Sequence, residues 1–298
     1  MKRTLILIAI LCIVLLAASL KATDNFLWEV ENGKNKVYLL GSIHIMPEDT
    51  YPLDDKIESA FKEADVLVVE VDITKIDQGK IQAFIAEKAS YEEGKSLQTE
   101  IPADMYKSLS EKFEELGVPM AQIDIYKPWF VSMTLGLLGL QKLNITAGQG
   151  IDLHFLNQAN EKEMEILDLE TAGAQLEILA SNPDQVQIDY LQYSIDDYEQ
   201  SAVVFMEMLE AWKTGDTEKM NKVSKAKMLE LGEELPGIID FYHKLFTERD
   251  EKILQKIIEH LENKNDHVYF IIVGALHLVG EDGLIKLLND KGYKTKQY

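Results

Sequence analysis

"FLWEV" (26–30) and "KVYLLGSIH" (36–44) are apolar runs on either side of "ENGKN", and an Asn-Gly between two such runs is a hairpin signal. The period then changes. In "YPLDDKIESAFKEAD" the residues Leu53, Ile57, Ala60, Phe61 and Ala64 recur at helical spacing, and "VLVVEVDI" (66–73) reads as a buried strand rich in β-branched residues. Residues 74–125 are mostly helical in pattern. "ADMYKSLSEKFEELG" sets Met105, Leu109, Phe113 and Leu116 on one face, and Gly117 supplies a C-terminal stop. "KPWFVSMTLGLLGL" (127–140) is apolar all round, too short to span a membrane, and reads as a buried helix or the wall of a pocket.

In "GQGIDLHFLNQANEKE" two glycines, Gly148 and Gly150, precede a helix that opens near Ile151–Asp152. "MEILDLE" (164–170) reads as another strand, and residues 182–263 as helical with a break at "WKTGD" (212–216). There Ile253, Leu254, Ile257, Ile258 and Leu261 form an apolar stripe. "HVYFIIVGALH" (267–277) is the last clear buried strand, and "YKTKQY" (293–298) an edge strand. This alternation predicts an α/β fold: a central, mainly parallel mixed sheet flanked by helices, with the long helical segments as an embedded cap. No linker rich in Pro, Gly or Ser interrupts it, so residues 23–298 read as one domain.

The N-terminus is set apart by its own pattern. Lys2 and Arg3 precede an unbroken apolar run from Leu5 to Ala18, and small residues follow. That is the layout of a signal peptide or N-terminal membrane anchor over residues 1–22, and it predicts an exported chain, secreted, periplasmic or held at the outer face of a membrane. The one cysteine, Cys12, lies inside this segment, so the domain carries no disulfide and no thiolate chemistry. A formal net charge of −21 argues against nucleic-acid partners and against adhesion to anionic lipid.

Four strand-like runs end in residues that carry chemistry: His44, Glu70, Glu170 and His277. "NKVYLLGSIHIMPED" and "DHVYFIIVGALHLVGED" match beyond their shared Gly-x-x-His, which suggests a pseudo-repeat. In open α/β sheets ligands bind outside the carboxyl ends of the strands, so neighbouring strands would bring two imidazoles and two carboxylates into one crevice. Two histidines and a glutamate suit a catalytic divalent metal, with the second glutamate as general base or further ligand. Metal-free acid–base hydrolysis by the same groups is the other reading. A serine triad is less favoured, because Ser42 lies beside His44 but no Gly-x-Ser-x-Gly elbow is present. His154, His243, His260 and His267 read as packing or surface groups, and Glu48, Asp49, Glu281 and Asp282 as loop acids that either stay solvated or stand behind the site residues. Only two arginines occur, Arg3 and Arg249, and Arg249 is the one in the domain. Its planar fork of donors is something lysine cannot imitate.

Taken together, "LWEVENGKNKVYLLGSIHIMPEDTYPL", "ADVLVVEVD", "GIDLHFLNQANEKEMEILDLET", "WKTGD", "ERDEKI" and "VGALHLVGEDGLIKLLNDKGY" resemble the TraB/GumN family, which includes PrgY and is related to the Tiki proteins. The resemblance spans nearly all of residues 23–298. It implies a fold of the erythromycin-esterase and ChaN type and a metal-dependent peptidase acting on a peptide or protein, with Mn²⁺ or Co²⁺ as the metal and Zn²⁺ as a further candidate. It implies that the paired histidines and the glutamate form the active site. From the residues, His44, Glu70 and His277 read as the metal ligands, with catalytic roles for Glu70, for Glu170 as base or fourth ligand, for Arg249 as an electrostatic clamp and for Asp152, which orients a neighbour or caps its helix. The family's Arg-Asn pair is Arg249-Asp250 here, which leaves the role of position 250 open. Alternatives are a protein that binds or sequesters peptides without cutting them, and a haem or iron binder like ChaN.

Overall fold

The computed structural model describes residues 24–142, 150–235 and 237–298. The N-terminal segment 1–22 and Gly148 lie outside the described residues. Among those described, no helix is long and apolar enough to cross a membrane.

Six strands form one mixed sheet: β1 (Leu27–Asn32), β2 (Asn35–Ser42), β3 (Val66–Val69), β4 (Glu165–Asp168), β5 (Val268–Gly274) and β6 (Thr295–Gln297), in the order β4-β3-β5-β2-β1-β6. The first four in that order run parallel to one another, and β1 and β6 add antiparallel pairs at one side. The Asn-Gly signal is realised as a hairpin with Asn32 paired to Asn35. β5 is buried because it lies inside the sheet, between β3 and β2: Tyr269, Phe270, Ile271, Ile272 and Val273 have almost no exposed surface.

Helices cover both faces. Phe270 packs against Phe61 and Phe155, at ring distances of 5.4 and 5.0 Å, so the helices Asp55–Glu63 and Ile151–Glu161 share one face. Tyr269, which points the opposite way in the strand, lies 4.4 Å from the ring of His260, placing the helix Glu248–Glu262 on the other face. A second apolar cluster lies within the helical layer, where Leu109, Phe113, Val131, Leu135 and Leu191 pack together. The helix Pro128–Gln141 contributes Trp129, Val131 and Leu135 to the interior, while Leu137 stays exposed.

The strand expected over 66–73 stops at Val69. The β propensity of Val71 and Ile73 loses to a polar cap: the Asp72 side chain accepts from the Thr74 amide at 3.0 Å and starts a short 3₁₀ turn, while the Asp72 amide donates to Asp168. The early stop leaves Glu70 just past the carboxyl end of β3. The break at 212–216 has a tertiary role. The buried Trp212 donates its indole N–H to the Gly41 carbonyl at 2.6 Å, fastening the helical layer to β2. Trp212→Phe keeps much of the ring's bulk and removes the donor, so urea unfolding should show a loss of about 1–3 kcal/mol.

A candidate active site at the ends of four parallel strands

The sheet order makes the four tips consecutive. Moving across β4, β3, β5 and β2, the chain leaves the same edge through Glu170, Glu70, His277 and His44. The ladder continues past the strands, since the Glu170 amide donates to the Glu70 carbonyl at 2.8 Å.

Two glycines let backbones close in around β2. A Cβ on Gly41 would lie 2.5 Å from Phe26 and 3.1 Å from the Ala275 Cα, so the turn carrying His277 could not pack there. A Cβ on Gly150 would lie 2.2 Å from the His44 carbonyl oxygen. This contact brings the start of the helix Ile151–Glu161 against His44, with the Ile151 amide donating to the Ile43 carbonyl at 3.3 Å. Gly150→Ala should therefore cost about 1–3 kcal/mol in thermal or urea unfolding, because backbone must move. Gly274 differs from Gly41: a Cβ there meets only ordinary contacts, and its contribution is its amide, which donates to Glu70 Oε1 at 2.6 Å.

The two motifs give unlike exposures but the same kind of partner. His44 Nδ1 lies 2.8 Å from Asp152 Oδ2, and Ser42 Oγ donates to Asp152 Oδ1 at 3.1 Å. His277 Nδ1 contacts Asp250 Oδ1. Asp152 sits in the first turn of its helix, where the positive end of the helix dipole favours a carboxylate, whereas Asp250 lies within a continuous helical run that passes from Gly237–Tyr242 through a π-helical turn at His243–Thr247 into Glu248–Glu262. The His44 side chain is 66 % exposed, whereas His277 is buried beside Phe246. The buried Ser42 hydroxyl is spent on Asp152, which disfavours it as a nucleophile.

Glu70 and Glu170 are joined by the domain's arginine. Arg249 Nη2 donates to Glu70 Oε2 at 2.8 Å and to Glu170 Oε2 at 2.7 Å, and Nε donates to Glu170 Oε1 at 3.0 Å. Gln175 Nε2 bridges the same two carboxylates at 2.7 and 3.0 Å. His277 Nε2 lies 3.8 Å from Glu70 Oε1. Burial works to raise the Glu70 carboxyl, but the fields of His277, Arg249 and His44 and the Gly274 amide hold it below the usual carboxylate range. Asp152 is likewise held down, against burial, by His44 and by its hydrogen bonds.

The Asp152 carboxylate pushes the His44 imidazole up to about 9, against the partial desolvation of the ring by the protein around it. A raised imidazole pKa contributes stability that is fully present below the ordinary value of 6.5 and is lost as pH rises through about 9. In metal-free protein, melting temperature should therefore fall between pH 6.5 and about 9, and Asp152→Asn should flatten that limb. The effect will be small, because solvent screens an imidazole this open.

Behind His277 lies a polar group built around Asp282, for which the sequence leaves both a solvated and a supporting place open. Asp282 accepts from Lys225 Nζ at 2.6 Å, from the Tyr242 hydroxyl at 2.8 Å and from the Thr247 hydroxyl at 3.2 Å. Lys225 is 1 % exposed and also sits 4.0 Å from Asp250 Oδ2. Asp282 is thus an anchor for a buried cation, not a solvated loop acid. Burial pushes the Asp250 carboxyl up, only partly offset by His277 and Lys225. Sequence reasoning leaves Asp250 without a role and misses Lys225 and Gln175. His154 is structural, as expected, hydrogen-bonded to Glu58 at 2.9 Å and packed on Tyr51.

Among the described residues no group of three or more His, Cys, Asp or Glu side chains is gathered as a ready metal cage. Both Glu70 oxygens are engaged, Oε1 by the Gly274 amide and Oε2 by Arg249 and Gln175. The donor chemistry nevertheless suits a divalent ion. A carboxylate on Nδ1 fixes the imidazole's orientation and tautomer and leaves Nε2 as the ligating nitrogen, and both His44 and His277 have that arrangement.

The fold is an α/β sheet whose parallel strands bring two carboxylate-paired imidazoles and a glutamate pair clamped by arginine to its carboxyl edge. The chain belongs to the TraB/PrgY/gumN family, whose sequence profile matches residues 26–297. It is similar to the uncharacterized protein YbaP of Escherichia coli K12, with 25% identity over 258 residues that cover 86% of this chain and 89% of YbaP. YbaP of Shigella flexneri is similar to the same extent. No solved structure matches the chain.

Proposed function

We propose that the protein is an extracytoplasmic, metal-dependent hydrolase that cuts peptide bonds. The observation that carries this reading is the matched pair of imidazoles at one sheet edge, each tied through Nδ1 to an aspartate carried on a helix. His44 and His277 would hold the metal through Nε2 and Glu70 through Oε1, with Mn²⁺, Co²⁺ or Zn²⁺ all compatible with these donors. Such an ion supplies Lewis-acid polarisation of a carbonyl and acidifies bound water.

The chain's own residues do the rest. Asp152 and Asp250 keep each imidazole in its ligating tautomer. Arg249 and Gln175 fix the two glutamates relative to one another. Glu170, partly open to solvent, is the candidate proton acceptor, and Arg249 sets its direction. His44, the exposed member, is the imidazole that a substrate in solvent would reach first. Export and any membrane attachment rest on residues 1–22.

A peptide-library digest with added Mn²⁺, Co²⁺ or Zn²⁺ tests the proposal. Cleavage should require the metal and disappear in His44→Ala and His277→Ala. Metal-independent binding of peptides with no cleavage under any condition would replace it with a sequestering role.

A further inference from the structure

A second cavity, of about 330 Å³, opens between the helices Pro128–Gln141, Asp184–Asp196 and Tyr198–Lys213. It shares no residue with the four strand tips. Leu135 and Phe205 give it an apolar floor, and Tyr190, Tyr193 and Tyr198 give it aromatic walls. Its size falls within the range of small-molecule sites.

The polar groups in the lining are mostly spent. Ser132, Ser194 and Ser201 each turn their hydroxyl back onto a carbonyl of their own helix, at 3.0, 2.8 and 2.6 Å. They offer little to a sugar or another polyhydroxy ligand. One carboxylate remains, Asp197, and among the described residues no lysine or arginine lines the cavity to balance it. Asp197 stands where an N-cap would, yet its side chain makes no capping hydrogen bond. Beside it, burial and then the hydrogen bond to Asp197 push the Tyr193 phenol up to about 12. Tyr198 already shows that these rings accept a cation: Lys112 Nζ sits 5.1 Å from its centroid, while Glu199 and Glu115 hold that ammonium at 3.2 and 3.8 Å.

We propose that this cavity binds a small amphiphilic ammonium ion, its alkyl chain on the Leu135–Phe205 floor and its charged head between Asp197 and the tyrosine rings. An apolar pocket carrying a single carboxylate among aromatic faces is complementary to an alkylammonium and rejects a carboxylate of equal chain length.

The test is calorimetric titration of the full-length chain with hexylammonium, hexanol and hexanoate. Hexylammonium should saturate at one per chain and bind most tightly. Asp197→Asn should weaken it roughly tenfold, the loss expected for one charge-assisted contact, and leave hexanol unchanged. Gly136 lines the cavity and an added Cβ meets nothing within 4 Å, so Gly136→Phe should fill the space and abolish binding of both. Hexanoate binding as tightly as hexylammonium, hexylammonium unaffected by Asp197→Asn, or no saturable binding would overturn the proposal. These readouts are independent of peptide cleavage.

Discussion

Arg249→Met should destabilise the protein by about 3–5 kcal/mol in urea unfolding, the largest effect expected of a single substitution here. The guanidinium is nearly buried and is the cation that joins Glu70 to Glu170. Removing it leaves two carboxylates facing one another with Gln175 as their remaining shared donor. Glu70, deeper than Glu170, then loses one of the charges that hold it ionised, and burial pushes its carboxyl upward against His277, His44 and the Gly274 amide alone. Arg249→Lys should recover only part of the loss. A lysine supplies one point of charge, whereas Arg249 bonds through Nε and Nη2 to Glu170 while Nη2 also reaches Glu70. Arg249→Met combined with Glu170→Gln should be less damaging than the two single losses added, because the groups are in direct contact. Equal stability of Arg249→Lys and the parent would contradict this account of the clamp.

The second large effect is on metal affinity. Asp250→Asn keeps the shape of the side chain but presents either an amide or a neutral oxygen to His277 Nδ1. Loss of such an orienting carboxylate typically costs about 10–100-fold in affinity. Asp152→Asn should act similarly through His44. The two differ in stability. Asp250 has no exposed surface and lies 4.0 Å from buried Lys225, so its neutralisation leaves that cation to Asp282 alone. Asp250→Asn should lower the melting temperature more than Asp152→Asn, whose partner His44 reaches solvent. Calorimetric titration with Mn²⁺ alongside thermal unfolding separates the two quantities.

The strand ends are legible in the sequence because burial leaves a plain mark: β5 is an unbroken apolar run, and the residue types change where it leaves the sheet. Asn32-Gly33 announces the hairpin, and the lone domain arginine announces the clamp. Strand order is not legible. Nothing in the residues of "VLVVE" says that β3 lies between β4 and β5, since that follows from packing between distant helices. The end of β3 differs from the pattern for a local reason, a capping side chain outweighing β-branched neighbours. Lys225 and Gln175 are hidden because each lies on a helix, and only the tertiary fold shows which polar residues of those helices turn inward. The second Gly-x-x-His looks equivalent to the first. In the fold it shares the type of carboxylate partner but not the exposure, and the two motifs sit one residue out of step where β2 and β5 pair, with Ser42 opposite Gly274.

The most direct test of the central claim is divalent-metal titration of the full-length chain beside His44→Ala and His277→Ala, read by elemental analysis and calorimetry. The account predicts about one Mn²⁺, Co²⁺ or Zn²⁺ per chain, with binding lost in both variants, since the two histidines stand at the ends of adjacent strands. Full binding retained in either variant, or no metal bound by the parent, would contradict it.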